Sequence, residues 1–166
     1  MKTPMRALLA AGALVFAVSV QAQEKVTLSI ATGPTTGVYY PMGGGIANIL
    51  SKYVPGYAAN AESTAGSVAN LQLMSQKKSD LALSMADAAW DGYKGQGKFA
   101  AGAVPIRTLM IAYPNRMHIV TVDGTGINKI ADLKGKRVST GAPNSATELM
   151  AVRVLEAAGL DQEKDI

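Results

Sequence analysis

Three turns in this chain place small hydroxyl residues immediately ahead of a helical pattern: "GPTTGVYYP" at 33–41, "STAGSVANL" at 63–71 and "GAPNSATEL" at 141–149. A helix start leaves its first backbone N–H groups without intrahelical partners and carries a positive partial charge, so it suits a carboxylate or a phosphate. The chemistry these turns offer is anion binding rather than bond making. In the third turn Ser145 precedes Glu148 by three residues, the spacing of a capping box. Ser145 is expected to accept from the Glu148 N–H while the Glu148 side chain returns to the Ser145 N–H, so two donors are used internally. In the second turn Ser67 is the expected N-cap, and Gly66 lets the backbone come close. In the first, Pro41 lies in or just after the opening helical turn, which leaves Thr36, Gly37 or Tyr40 as the cap.

Residues that could support catalysis are sparse. The chain has no cysteine and one histidine, His118, so a conventional zinc site or a Ser-His-Asp arrangement would have to be built around that residue alone. His118 lies inside the apolar, strand-like "RMHIVTV" and is expected to be a hydrogen-bonded structural residue. Asp87, Asp91 and Glu148 are the remaining candidates, and no Asp/Glu pair has a spacing that marks general acid–base work. No GxxxxGK[ST] occurs, and "GPTTG" is not GxGxxG, so nucleotide phosphates are poorly served. "GGG" at 43–45 falls within a helical pattern, where close helix packing explains it. Trp90 is expected to pack, Lys134, Lys136 and Arg137 to form a solvated corner, and only one of Tyr39 and Tyr40 to face a ligand, since neighbouring helix positions point about 100° apart. No metal or cofactor is implied. With 16 Lys and Arg against 12 Asp and Glu, scattered and without a basic stripe, the chain is not a nucleic-acid binder.

The elements that must carry these turns read as alternating strands and helices. "MKTPMRALLAAGALVFAVSVQAQEK" has a basic start, an apolar run and a small-residue exit, the pattern of a secretory signal peptide cleaved after Ala22. The competing reading is an uncleaved N-terminal anchor. Lys2 and Arg6 leave with the leader and no acidic residue does, which takes the formal charge from +4 to +2. A strand is expected over 26–32, then an amphipathic helix marked by Val38, Met42, Ile46, Ile49, Leu50 and Tyr53. A weak strand at 58–64, a short helix from about Ser67 to Gln76, a strand at 80–86 and a helical turn over 87–93 follow. The Gly-rich stretch 92–105 reads as a loop. "IRTLMIAYPNRMHIVTV" is a long β-type run broken at Pro114, as if the chain left one sheet and entered another. Beyond it come a helical turn with Ile127, Ile130 and Leu133, a strand at "RVST", a helix with Leu149, Val152, Leu155 and Ala158 stopped by Gly159, and an approach to a further strand at 161–166. This pattern argues for open α/β units with parallel neighbours. The expected organisation is a signal peptide at 1–22, a first α/β lobe over 23–113 and the start of a second over 114–166. In open α/β sheets ligands bind beyond the carboxyl ends of the strands, where the three turns would share a cleft.

"ATGPTTGVYYPMGGGIANIL", "STAGSVANLQLM", "DLALSMADAAWDGY" and "DLKGKRVSTGAPNSATELMAVRVLEAAGL" together resemble the TAXI-type solute receptors of TRAP transporters. The resemblance implies a periplasmic binding protein of two α/β lobes and a hinge (the type II fold), no enzymatic activity, a small carboxylate ligand such as glutamate or a dicarboxylate, and the membrane permease of a TRAP-type transporter as partner. By the same resemblance Thr36, Gly37, Val38, Tyr39, Ser67 and Val68 would line the first lobe's wall, and Asn144, Ser145 and Thr147 the second's. Tyr113 would lie near the hinge. Thr36, Asn144 and Ala146 stand where that family commonly has Gly. Two such lobes want about 300 residues by domain-size priors. A chain with only the start of the second lobe is expected to be weakly stable and to bind poorly or not at all. An ABC-importer receptor for sulfonates, a periplasmic sensory receptor and an enzyme on the same scaffold are the competing expectations.

Overall fold

The computed structural model describes residues 25–166, so the expected leader lies outside the described residues. Strand β1 (Val26–Ala31) is the centre of a three-stranded parallel sheet, with β2 (Tyr57–Glu62) on one side and β3 (Leu81–Ala82) on the other. Val26 pairs with Tyr57 through to Ala31 with Glu62, and Ile30 and Ala31 pair with Leu81 and Ala82. Parallel neighbours need crossover connections, which here are helices: α1 (Tyr39–Tyr53) joins β1 to β2, and α2 (Ser67–Ser75) joins β2 to β3. Then α3 (Ala86–Lys94), α4 (Ala146–Ala157) and the single turn α5 (Gln162–Asp165) follow, with 3-10 turns at Gly97–Phe99 and Ile130–Leu133.

Helix α1 packs on the sheet through a narrower face than the sequence pattern predicts. Gly43 and Ala47 are buried, with Ile46 and Leu50 flanking them against Ile30 and Ala59. Ile49 (57 % exposed), Tyr53 and Val38 lie outside that face. A Cβ on Gly43 would collide with the Thr32 side chain, so this glycine lets helix and strand approach, as expected of "GGG". Gly44 and Gly45 have open space around them.

A second cluster joins the two halves of the chain. Val68 and Leu71 of α2, Ala88 of α3, Phe99, Val104 and Ala146 of α4 pack together, with Leu149 against them. The Gly-rich stretch is therefore a packed connection, not a free loop: Phe99 and Val104 are both buried, and the Val104 N–H donates to the Gly92 carbonyl at 2.8 Å. The ion pairs of Arg153 on α4 with Asp87 and Asp91 on α3 seal the same contact. A third cluster of Leu133, Leu155 and Leu160 holds the C-terminal elements together. Gly159 stops α4 as expected, with the Gly159 N–H on the Glu156 carbonyl and the Leu160 N–H on the Leu155 carbonyl.

The strands expected in the second half are not formed. Among the described residues no strand follows Ala82, and from Arg107 to Val122 the backbone makes no hydrogen bond to other backbone. The composition of this run favours β structure, but a strand needs a hydrogen-bonded neighbour, and none lies beside it. Ile111 (90 % exposed), Val120 (87 %) and Leu109 (79 %) face solvent as a result. "RVST" is likewise unpaired, and 161–166 is a helical turn capped by the Asp161 carboxylate, which accepts from the Glu163 and Lys164 N–H groups. The strand expected over 80–86 is reduced to two residues because the chain turns into α3 at Ala86. Among the described residues the strands form a single three-stranded sheet.

Candidate functional site

The carboxyl ends of all three strands converge on one side chain that the sequence reading gave no role. Asn70, on the inner face of α2, is fully buried. Its Nδ2 donates to the Thr32 carbonyl (2.5 Å), just past β1, and to the Leu83 carbonyl (2.7 Å), just past β3. Its Oδ1 accepts from the Thr64 hydroxyl (2.5 Å), just past β2. One amide thus fixes the three turns at the sheet's binding edge. The available signal was a polar residue between Val68 and Leu71 on an otherwise apolar helix face.

On this platform the first turn of α2 meets the first turn of α4. Ala69 donates its N–H to the Asn144 carbonyl at 3.1 Å, and a Cβ on Gly66 would lie 3.5 Å from the Ser145 Cβ. Gly66 has φ of 120°, which side-chain-bearing residues rarely adopt, so glycine is required there on conformational grounds. Gly66, not Ser67, is the N-cap of α2, and its N–H is held by the Thr64 hydroxyl at 3.0 Å. The buried Ser67 hydroxyl instead accepts from the Met85 N–H at 3.1 Å, just ahead of α3, and lies 3.5 Å from the Tyr39 hydroxyl. Ser145 caps α4 as expected, accepting from the Glu148 N–H at 3.0 Å. The Glu148 carboxylate reaches one residue further back than expected, to the Asn144 N–H at 2.8 Å, because Asn144 adopts a left-handed φ of 63° that turns its N–H toward the helix. The N–H groups of Ser67, Val68, Ala146 and Thr147 have no hydrogen-bond acceptor among the described residues.

Two tyrosines close one side. The Tyr39 and Tyr113 rings meet edge to face with centroids 6.5 Å apart. Burial pushes the Tyr39 hydroxyl above its ordinary pKa, hydrogen bonding to the Ser67 and Asn115 side chains offsets part of this, and the nearby Asp87 charge adds to the rise. Burial also raises Tyr113, with Tyr39 contributing. Both phenols therefore stay neutral donors at neutral pH. Asp87 gives one carboxylate oxygen to Arg153 at 3.1 Å, while its other, Oδ1, is buried without a partner.

Of the residues expected to line the cleft, Tyr39, Ser67, Val68, Tyr113, Asn144, Ser145 and Thr147 come together around these two helix starts. Thr36 and Val38 are exposed, and the Gly37 N–H is taken by the Pro34 carbonyl at 2.8 Å. Of the adjacent tyrosines, Tyr39 is the one whose hydroxyl lies 3.5 Å from the Ser67 hydroxyl. Trp90 is not a core residue; it is 58 % exposed, with the Lys94 ammonium 4.7 Å from its ring centre. His118 is also exposed rather than locked in a strand, since the strand it was to occupy is unpaired. Lys134, in the expected solvated corner, pairs with Asp165 at 3.0 Å. A broad, shallow groove along Thr125, Ile127 and 136–139 shares no residue with the site.

A parallel sheet whose strand ends and crossover turns gather beside two meeting helix starts is the arrangement at whose strand ends open α/β proteins take ligands. The chain belongs to the NMT1-like family, whose model matches residues 30–166, nearly everything described. This is a family of periplasmic solute-binding proteins, which makes the chain's role extracytoplasmic solute binding. Among the described residues no helix is long and apolar enough to cross a membrane.

Proposed function

We propose that this chain is the receptor component of a TRAP-type secondary transporter of the TAXI kind, taking a small carboxylate, glutamate-like or dicarboxylic, and delivering it to a membrane permease without chemical change. The observation that carries the reading is the meeting of the α2 and α4 first turns, with the Ser67, Val68, Ala146 and Thr147 N–H groups uncommitted and the neutral Tyr39 hydroxyl beside them. Two helix starts facing one crevice offer a carboxylate several donors and two favourable dipole ends. In this reading the first wall of the cleft is Tyr39, Ser67 and Val68, and the second is Ser145 with Thr147. Selectivity arises from closure around the ligand, and no group in the crevice is asked to make or break a bond.

The test is a two-dimensional amide NMR titration of the chain with millimolar succinate, glutamate and taurine, and with uncharged succinamide as control. Saturable shifts at Ser67, Val68, Ala146 and Thr147 with the carboxylates, and none with succinamide, are expected. Shifts confined to taurine would turn the assignment to a sulfonate receptor, and equal shifts with succinamide would remove the anion site altogether.

A further inference from the structure

We propose that Arg116 is the selectivity residue of this site, the counter-charge for a second anionic group on the ligand, so that the receptor discriminates dianions from monoanions. This deepens the carboxylate reading above and rests on it.

A cavity of about 120 Å³ is bounded by Met85, Asn115, Arg116, His118, Thr147 and Met150. It lies beside the two helix starts, sharing Thr147 with the first turn of α4. The Met85 N–H is the one held by Ser67, and Thr147 carries one of the uncommitted N–H groups of α4. A ligand carboxylate seated on the two helix starts would therefore extend into this cavity. The volume corresponds to roughly four waters of liquid, enough for a short tail ending in one polar group.

The charges around the cavity decide what that group is. Arg153 is committed to Asp87 and Asp91 and is not free to meet a ligand anion. Arg116 has no ion-pair partner among the described residues. It is the one fixed positive charge on the cavity wall, and its planar fork matches a carboxylate with two parallel N–H donors. An ammonium group placed there would meet Arg116 at close range, and an uncharged end would leave the guanidinium unmatched. A carboxylate satisfies it.

The experiment compares succinate with butyrate, equal in carbon number and differing by one carboxylate, in NMR titrations of the unmodified chain and of Arg116→Gln and Arg116→Lys. In the unmodified chain succinate is expected to bind about tenfold more tightly than butyrate, in line with a charge-assisted pair at a partly exposed site. Arg116→Gln should bring the two within about twofold by weakening succinate much more than butyrate, and Arg116→Lys should restore part of the difference. Arg116 is exposed, so the glutamine variant should keep the amide spectrum of the folded chain. A succinate preference that survives Arg116→Gln, or is absent from the unmodified chain while butyrate still binds, overturns the assignment of Arg116 alone. If neither compound shifts the Ser67 and Thr147 amides, the carboxylate reading falls, and this inference with it.

Discussion

Replacing Asn70 by alanine tests whether one amide holds the binding edge of the sheet. The substitution leaves the carbonyls of Thr32 and Leu83 without the donor they now share, in a place where Thr32 and Asn70 are both fully buried. An unsatisfied buried carbonyl costs about 1–3 kcal/mol, which applies in full to Thr32, while the half-buried Leu83 carbonyl adds less and the space left by the amide adds to both. The Thr64 hydroxyl, the third partner, is half-buried and can turn to water, so it adds little. A loss of about 3 kcal/mol or more is expected, read from urea unfolding followed by far-ultraviolet circular dichroism. For a chain of this size it corresponds to roughly 6–12 °C in Tm. Thr64→Val, which removes only the contact to the amide oxygen and the Gly66 N–H, should cost about 1 kcal/mol and serves as the internal control. Asn70→Asp keeps the shape but sets a carboxyl against two carbonyl oxygens, and burial with those neighbours raises its folded-state pKa above the unfolded value. The folded chain then binds more protons than the unfolded one, so stability should fall as pH rises above about 4. If Asn70→Ala costs less than about 1 kcal/mol, water replaces the amide at both carbonyls and the argument that Asn70 organises the edge is wrong.

Two further substitutions probe how the halves of the chain are joined and how α2 ends. Arg153→Gln breaks both contacts between α4 and α3 and strands Asp91, whose side chain is 10 % exposed. Because Arg153 itself is 41 % exposed, solvent screening reduces the loss to about 1–2 kcal/mol, and added salt should shrink it. A double-mutant cycle with Asp91→Asn that gives a coupling below about 0.3 kcal/mol would contradict the pairing. Lys77 closes α2 with a left-handed φ of 55°, its N–H on the Met74 carbonyl and the Lys78 N–H on the Leu73 carbonyl, an arrangement usually given to glycine. Lys77→Gly should raise stability by about 0.5–1 kcal/mol, seen as a higher urea midpoint at unchanged slope; a lower midpoint would count against the strain assigned to Lys77.

What the sequence made legible is what local chemistry determines. Ser145 with Glu148, Gly159 at the end of α4 and the alternation of strand and helix up to Ala82 depend on neighbours within a few positions, and the structure carries all of them. The β-type run 106–122 failed as a prediction because a strand is a property of a pair: its apolar residues meet the propensity and find no ladder. Ser67 has the residue type and position of a cap, directly ahead of a helical pattern. Its hydroxyl is drawn instead to Met85, 18 residues away, by a packing of α2 on α3 that no short window contains. Asn70 and Arg116 were invisible for the same reason, since the groups that give them meaning lie on other elements. Of the three turns, the second and third meet through their backbones, and from the first Tyr39 reaches the Ser67 hydroxyl.

The order β2-β1-β3 has a consequence for biosynthesis. The strand made first occupies the middle of the sheet, so nothing in the sheet can form until the chain has been elongated as far as Glu62. At about 5–20 residues per second that interval lasts on the order of seconds. Throughout it the nascent N-terminal segment has no β partner to pair with and remains an open, extendable chain. For a member of an extracytoplasmic family, a topology that postpones its first long-range contact lengthens the time in which the chain can be threaded unfolded.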